Sequence, residues 1–547
     1  MPSVKLSVTV RKRLERKYDA GALKKIDAAV KQWVAADATR GLSTVHVAVD
    51  DAKAMKALGV KAVTGRVTAN KMKGAVDALW ARLAPDYLVL FGADDVVPYF
   101  VVQNPSFDPN GDDDRTVPTD NPYACSERFR SSKRGSYLVP DRVVGRLPDV
   151  PGDGDPSWFL DSLATASTWV SQEKGTYDDA CAICCDAWKG AGAACVAHIG
   201  EAESRLMISP PEGDATSLPA SRLKARLHLI KCHGAQVDPH FYGQKGSSFP
   251  VALSSSSLRK KVSPHTVAGA MCCYGAQVFS PNDPAVKPPG AWPIASTYLR
   301  GGAYGFAGST MIAWVGPQEM ACADWIVAGF LKGALGGASL GRAFLESKQD
   351  YLRWISQQGA APGIEDEKTL IEFVLLGDPS IQPVASTPTV PDRRRAGLTA
   401  ATLAKPSPTT FQERRQRRLF RTQTATQIRS ALPARSAAKG APKARAGALY
   451  AYIKHRFAES TKEFGLSKSK VHVQKLETTF PTRDVEAAGF RTARMASGAA
   501  ETATRRESFQ YYWSGKRVLD GHTRIRLVKV ETDVKGRVLR SGMVESS

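Results

Sequence analysis

Two short segments in the middle of the chain carry side chains that could act together in nucleophilic catalysis. His233-Gly234 follows the apolar run LHLIKC, and Cys272-Cys273 follows the apolar run TVAGAM, so that His233 and Cys273 are 40 residues apart. A free thiol is only a few per cent ionised near neutral pH, and a neighbouring imidazole can accept its proton. These residue types favour nucleophilic cysteine chemistry, with His233 as the base.

The two apolar runs predict the elements that must position these groups. Leu227–Cys232 and Thr266–Cys272 are candidate strands, and the residues between them suffice for a crossover between parallel strands. In an open parallel sheet, functional groups gather beyond the carboxyl ends of the strands. The glycine at 234 lets the backbone approach a scissile carbonyl, and its N–H and that of the nucleophilic cysteine could form an oxyanion hole.

A strand ending in His-Gly, followed by a strand ending in Cys and a nearby Gly, resembles the arrangement of caspases, legumains, separases and gingipains. Four further stretches resemble the gingipain-type peptidases of family C25: DYLVLFGADDVVPYF, DRVVGRLP, GGAYGFAGSTMIAW and LLGDPSIQPV. The resemblance covers about residues 40–385. It implies an α/β, caspase-like fold of two side-by-side subdomains with mostly parallel sheets covered by helices. It also implies a cysteine endopeptidase that acts on protein or peptide substrates through a thioester and requires no redox or nucleotide cofactor.

The resemblance leaves the identity of the nucleophile open. Cys273 gives Cys-x-Gly, the caspase spacing, and is favoured, whereas Cys272 gives Cys-x-x-Gly, the spacing of gingipains and legumains. Many members carry an acidic or amide residue two places before the nucleophile, where this chain has Met271. That departure keeps an inactive caspase-like scaffold as an alternative function.

Gingipains also carry an acid that orients the histidine, and the matching residue in PDRVVGRLP is Asp141. A carboxylate in that role fixes the tautomer of the imidazole. The alternative is that Asp141 forms a salt bridge with Arg142 or Arg146.

The segment DPNGDDD groups oxygen ligands of the kind that calcium prefers, at Asp108, Asn110, Asp112 and Asp114. Gingipain-type domains often bind Ca²⁺, so the resemblance keeps a calcium site here as a prediction. A solvated acidic loop is the alternative. The loop could also border the active site and present carboxylates to a basic P1 side chain.

Composition divides the chain into four parts. Residues 1–150 predict an N-terminal α/β subdomain and residues 151–385 the catalytic, caspase-like subdomain, with a Pro- and Gly-containing stretch at their boundary. Residues 386–447 contain few large apolar side chains and predict a disordered basic linker. Residues 448–547 combine helical spacing with alternating strands and predict a small, basic α+β domain.

Most of the net charge of +22 lies in the last part of the chain. Residues 391–547 contain 33 Lys and Arg against 13 Asp and Glu, a net +20, which leaves +2 for residues 1–390. Such a region could bind nucleic acid through its phosphates, with FQYYW at 509–513 stacking on bases, or recruit an acidic protein. Nucleic-acid binding by residues 391–547 is therefore the rival class of function.

The sequence shows neither an apolar run of signal-peptide length nor a segment that spans a membrane, which predicts a cytoplasmic protein. Its nine cysteines are an odd number and are clustered. This pattern favours free thiols over a disulfide framework.

Overall fold

The computed structural model describes residues 3–109, 111–201, 205–213, 218–358, 361–385, 445–467, 470–481, 503–519 and 522–546, with short pieces at 425, 434–438 and 442. The predicted linker, residues 386–447, falls almost wholly outside these ranges.

The strands that precede the predicted linker are short and mostly buried. They are β1 (Ser3–Thr9), β2 (Leu42–Ala48), β3 (Tyr87–Phe91), β4 (Phe100–Gln103), β5 (Thr116–Thr119), β6 (Val143–Leu147), β7 (Ala180–Cys185), β8 (Leu206–Ser209), β9 (Leu227–Lys231), β10 (His233–Gly234), β11 (His240–Tyr242), β12 (Val251–Ser254), β13 (Val267–Ala270), β14 (Gly305–Ser309), β15 (Trp314–Val315) and β16 (Phe373–Gly377). The later strands are β17 (Ala434–Ala437), which is short, and the longer strands β18 (Val471–Pro481), β19 (Ala503–Leu519), β20 (His522–Asp533) and β21 (Val538–Ser546).

The α-helices alternate with the buried strands. They are α1 (Arg11–Lys17), α2 (Ala20–Thr39), α3 (Ala52–Ala57), α4 (Ala69–Leu83), α5 (Gly135–Leu138), α6 (Ser157–Thr168), α7 (Lys189–Ile199), α8 (Ala220–Leu223), α9 (Ser255–Leu258), α10 (Ile294–Arg300), α11 (Ala323–Leu335), α12 (Leu340–Gln357), α13 (Ile364–Glu372), α14 (Ala446–Arg456) and α15 (Ala458–Glu463). Two 3₁₀ turns lie at Lys174–Tyr177 and Asp186–Trp188.

Local sequence explains how the longer helices form. The carboxylate of Asp19 accepts a hydrogen bond from the backbone N–H of Ala22 and caps α2, whose buried face includes Ile26 and Trp33. Thr68 caps α4 in the same way. Apolar residues at helical spacing then place one face of each helix against the sheet.

Ten strands form one sheet in the order β2-β1-β3-β6-β16-β14-β13-β9-β7-β8. All neighbours run parallel except β14 and β16, which run antiparallel. The predicted α/β class with a large, mostly parallel sheet and helices is confirmed. The sheet is continuous across the predicted boundary near residue 150, so the division into two subdomains stays a prediction.

The antiparallel step between β14 and β16 reverses the direction of half the sheet. Strands β7, β9, β13 and β14 therefore end at the edge where β16 and β6 begin. We call this the catalytic edge, because the segments that follow β9 and β13 lie there.

A second sheet contains six strands in the order β15-β21-β20-β19-β18-β17. Five of them come from the chain after residue 433, but β15 comes from the segment that follows β14. We call β17–β21 the C-terminal sheet. The C-terminal sheet pairs with β15 of the preceding region. That residues 448–547 form a separate small domain therefore stays a prediction.

None of the described cysteines forms a disulfide, and all of them are buried. No helix in the described ranges is both long and apolar enough to cross a lipid bilayer. The cysteines Cys181, Cys184 and Cys185 point into the core around β7. They behave there as small apolar side chains.

Candidate active site

The segments that carry His233 and Cys273 leave the sheet side by side. β9 and β13 are parallel neighbours, with Ile230 opposite Ala270, a separation of 40 positions. His233 and Cys273 have the same separation, and each lies three positions beyond that last pair. Since neighbouring strands lie about 4.8 Å apart, the register places the two residues next to each other at the catalytic edge.

The backbone after His233 touches the backbone at Cys273. A Cβ atom added to Gly234 would overlap the carbonyl oxygen of Cys273, and it would lie 3.1 Å from the carbonyl carbon and 3.4 Å from Cβ of Cys272. Only glycine permits this approach. The contact joins the predicted oxyanion residue to the predicted nucleophile.

His233 is held by an amide and by aromatic rings. Its Nε2 lies 3.0 Å from Oε1 of Gln244, whose Nε2 donates to the carbonyl of Gly246 at 3.0 Å. Because that second bond fixes the orientation of the amide, Oε1 must accept and His233 Nε2 must donate. In the neutral ring, Nδ1 is then the atom that can accept a proton. The rings of Trp188 and Phe249 pack on the imidazole at 4.3 and 5.2 Å between centroids.

The two adjacent cysteines have different surroundings. Cys273 is 5 % exposed, and its Sγ accepts a hydrogen bond from the backbone N–H of Ala313 at 3.3 Å. The thiol can also donate to the carbonyl oxygen of Ala313 at 3.8 Å. Cys272 is fully buried, and burial raises the pKa of its thiol well above the ordinary range. This geometry favours Cys273 as the nucleophile.

The residue after Cys273 adopts an unusual backbone conformation. Tyr274 has φ of +56°, and its N–H donates to the carbonyl of Met311 at 2.8 Å. Its hydroxyl donates to Asp114 at 3.1 Å, and the same carboxylate accepts from the N–H of Ile312 at 3.2 Å. Asp114 therefore holds the turn after Cys273 against the segment that follows β14, and burial raises the pKa of its carboxyl.

A buried ion pair lies directly beneath this edge. Lys231 Nζ contacts Asp324 Oδ1 at 2.5 Å, and both side chains are inaccessible to solvent. Asp324 Oδ2 also accepts from the N–H groups of Gly316 at 2.8 Å and Ala321 at 3.1 Å. The ammonium group lies 5.5 Å from the ring of Trp188, which in turn packs on the catalytic histidine candidate. The sequence reasoning did not single out this pair, although a lysine inside LHLIKC was a visible signal.

Asp141 precedes β6 and so belongs to the catalytic edge, but β16, β14 and β13 separate β6 from β9 in the sheet. Four strand steps correspond to roughly 19 Å along the sheet. The carboxylate accepts hydrogen bonds from the N–H of Ser126 at 2.8 Å and from its hydroxyl. The two arginines considered as its partners form ion pairs with other carboxylates: Arg142 with Asp77, and Arg146 with Asp120. A role for Asp141 in orienting His233 stays a prediction.

Side chains of the acidic segment DPNGDDD contact other side chains of the protein. Asp112 forms an ion pair with Lys368 at 2.6 Å, and Asp108 accepts a hydrogen bond from the hydroxyl of Ser514. Asn110 lies outside the described residues. Within the part of the chain that the structure describes, no three His, Cys, Asp or Glu side chains are grouped to hold a metal ion. The calcium site stays a prediction.

The aromatic residues considered for base stacking pack in the interior. Tyr511, Tyr512 and Trp513 are at most 2 % exposed. Buried rings cannot stack on nucleotide bases. The arginine runs at 393–395 and 414–418 lie outside the described residues, so nothing in the described sheet favours the nucleic-acid hypothesis.

Residues 20–149 match the model of peptidase family C25. The C25 resemblance is confirmed over this stretch. The match supports a cysteine peptidase in general terms, with peptides as substrates. The C25 stretch runs from α2 through β6 and ends before β9 and β13, so the candidate dyad lies outside it.

The solved structures that are similar to this chain include the following two. One is described only as the structure of a protease; it is 15 % identical, with a TM-score of 0.46, and the alignment covers 70 % of this chain and 79 % of that one. The other is the separase–securin complex of Saccharomyces cerevisiae, which is 13 % identical with a TM-score of 0.26, over 59 % of this chain and 18 % of that one. No curated protein matches the chain.

Proposed function

We propose that this protein is a cysteine endopeptidase in which Cys273 is the nucleophile and His233 the general base. The observation that carries the proposal is the shared register of β9 and β13, together with the backbone contact between Gly234 and Cys273. In this proposal the thiol, the imidazole and the backbone N–H groups of Gly234 and Cys273 act together at one edge of the sheet. Sites of this kind are what acyl transfer requires.

Acylation begins with transfer of the thiol proton of Cys273 to Nδ1 of His233. The thiolate attacks the carbonyl carbon of the scissile peptide, and the carbonyl electron pair moves to the oxygen. The N–H groups of Gly234 and Cys273 stabilise that oxyanion. The C–N bond then breaks, and the imidazolium gives its proton to the leaving amine, which leaves a thioester on the enzyme.

Deacylation reverses these roles. His233 removes a proton from water, the hydroxide attacks the thioester carbonyl, and the C–S bond breaks. The product acid leaves, and the thiolate recovers a proton from the imidazolium. Gln244 keeps Nε2 protonated throughout, because its oxygen can only accept.

A peptide-library digest with purified protein tests the proposal. The native chain is expected to cleave a defined set of peptides, and His233→Ala is expected to reduce kcat/KM by at least about 10³-fold, because the thiol then lacks its base. Cleavage is read by mass spectrometry, which also gives the P1 preference. Equal cleavage by the native chain and His233→Ala would refute the proposal.

Gln244 is proposed as a positioning residue, and its substitution by glutamate should shift the pH profile. A carboxylate at this position favours the imidazolium, so the pKa of His233 should rise by about 1 unit. Since the neutral ring is the base, the acidic limb of kcat/KM should move to higher pH by the same amount. Gln244→Leu should instead lower kcat by about tenfold without that shift. Identical pH profiles for the native chain and Gln244→Glu would contradict the assigned tautomer.

A further inference from the structure

The two proposed catalytic side chains are nearly inaccessible. Cys273 and His233 are each 5 % exposed. A scissile carbonyl must reach both groups at hydrogen-bonding or bonding distance. A segment that covers the catalytic edge must therefore move before a peptide can bind.

The C-terminal strand β21 lies beside the segment that contacts the nucleophile. Ala313 donates its N–H to the Cys273 sulfur, and the next residue, Trp314, pairs antiparallel with Ser546. Val315 pairs with Glu545 in the same ladder. β21 thus occupies the backbone edge of β15, the kind of edge to which an extended peptide adds as a strand.

The C-terminal sheet also contacts the acidic segment that holds Tyr274. Ser514, in β19, donates its hydroxyl to Asp108, and Asp114 of the same segment accepts from the hydroxyl of Tyr274. The C-terminal sheet therefore contacts both segments that hold the turn after Cys273, the acidic segment and the segment that contains β15.

Apolar packing holds this arrangement at β15. Trp314 shares a buried cluster with Ile525, Leu527 and Val544 of the C-terminal sheet. Each of these side chains is at most 9 % exposed. Val544 lies two positions before the residue paired with Trp314, so it connects β21 to the segment next to the nucleophile.

We propose that the C-terminal sheet is an intramolecular cover of the active site, with β21 occupying the strand edge that a peptide substrate needs. This inference rests on the proposed function, because a cover regulates an active site only if the site is active. The covering of Cys273 and His233 can be tested without peptidase activity. Transient displacement of β21 from β15 opens the thiol and the imidazole together, so the native chain cleaves peptides slowly and variants that release β21 cleave them faster. The segment that blocks the active site is therefore part of the same chain.

Away from β15, ion pairs hold the C-terminal sheet against α13. Such contacts allow the sheet to separate from the rest of the protein. Lys529 forms ion pairs with Glu365 and with Asp366, the latter at 3.5 Å, and Arg435 pairs with Glu367 at 2.9 Å. Buried ion pairs contribute little net stability, because desolvation offsets their attraction. The three carboxylates all lie in the first turn of α13, and water can solvate them when the sheet leaves.

Alkylation of Cys273 by iodoacetamide tests the cover without any need for peptidase activity. Val544→Asp places a charge in the buried cluster with Trp314 and is expected to raise the alkylation rate of Cys273 at least tenfold. Val538→Asp is the matched control, since it makes the same change in the same strand at a side chain that is 36 % exposed. The rate is read at each cysteine by peptide mapping and mass spectrometry.

A second variant and an added peptide show whether faster alkylation reflects release of the cover or a loss of folding. Glu545→Gln keeps the side-chain shape but removes the charge that faces Arg524 and Arg526, so faster alkylation is expected with an unchanged circular dichroism spectrum. A synthetic peptide with the sequence of residues 538–546 should slow the alkylation of Val544→Asp by at least threefold. The same peptide with aspartate in place of Val544 should not.

The outcomes separate this inference from the proposed function. Alkylation rates of Val544→Asp and Glu545→Gln within twofold of the native rate would overturn the cover, as would equal acceleration by Val538→Asp. Fast alkylation of both variants without peptide cleavage by any of them would keep the cover and refute the peptidase. Cleavage that rises in parallel with alkylation supports both.

Discussion

Substitution of Cys273 by alanine is expected to reduce kcat/KM by at least about 10³-fold, whereas Cys272→Ala should leave it within about threefold of the native value. The two thiols are adjacent in the chain but differ in environment. The Cys273 sulfur accepts a backbone N–H, while the Cys272 sulfur lies in the core, where burial raises the pKa of its thiol. A thiol whose pKa is raised in this way is hardly ionised at neutral pH and is a poor nucleophile there.

Steady-state cleavage of a peptide found in the library digest measures this difference. A peptidyl acyloxymethyl ketone adds a chemical readout, because it should label Cys273 in the native chain and leave Cys272 unmodified. Loss of both activity and labelling in Cys272→Ala alone would reverse the assignment. Absence of labelling at either cysteine in the native chain and in Val544→Asp would favour the inactive-scaffold alternative, which the sequence suggests through Met271.

The part of the site that the sequence predicts well depends on local signals. Apolar runs ending in His-Gly and Cys-Cys predict two strands, and the structure has β9 at Leu227–Lys231 and β13 at Val267–Ala270. Residues at the ends of parallel neighbours must meet, so their proximity could be anticipated. Gly234 was recognised for the same reason, since a position of close backbone approach requires glycine.

Long-range pairings were beyond local reasoning. β16 enters the sheet antiparallel to β14 and joins the two halves, although the strands are separated by residues 310–372. β15 contains only Trp314 and Val315, and its partner β21 lies more than 200 positions later in the chain. The hydrophobic pattern of the sequence does not reveal either pairing, because the partner of a strand depends on packing across the whole sheet.

Polar contacts in loops were missed for a related reason. Gln244 follows β11 in a segment without apolar periodicity, and only the structure shows its amide oxygen beside His233. Asp114 was anticipated as part of an acidic loop near the site, but its contacts with Tyr274 and Ile312 depend on the fold of the turn after the nucleophile. Side-chain hydrogen bonds between distant loops are set by tertiary packing.

Loss of the buried partner of Asp324 should cause the largest change in stability. Lys231→Met leaves a carboxylate without its cation in the interior and is expected to lower the free energy of unfolding by about 3–5 kcal/mol. Burial already raises the pKa of Asp324, and removal of the ammonium group should raise it further. A carboxyl with a raised pKa in the folded state binds a proton more tightly there than in the unfolded chain. The stability of Lys231→Met relative to the native chain should therefore fall as the pH rises from about 4 toward neutrality.

The double variant Lys231→Met, Asp324→Asn isolates the charge effect. The asparagine oxygen can still accept from the N–H groups of Gly316 and Ala321, so the loop between β15 and α11 keeps its hydrogen bonds, and no charge remains buried. This variant should recover most of the lost stability and show no added pH dependence between about pH 4 and 7. Denaturant unfolding at several pH values measures both variants. Because Lys231 and Asp324 lie beneath the catalytic edge, equal stability of Lys231→Met and the native chain at neutral pH would mean that the ion pair does not support the site.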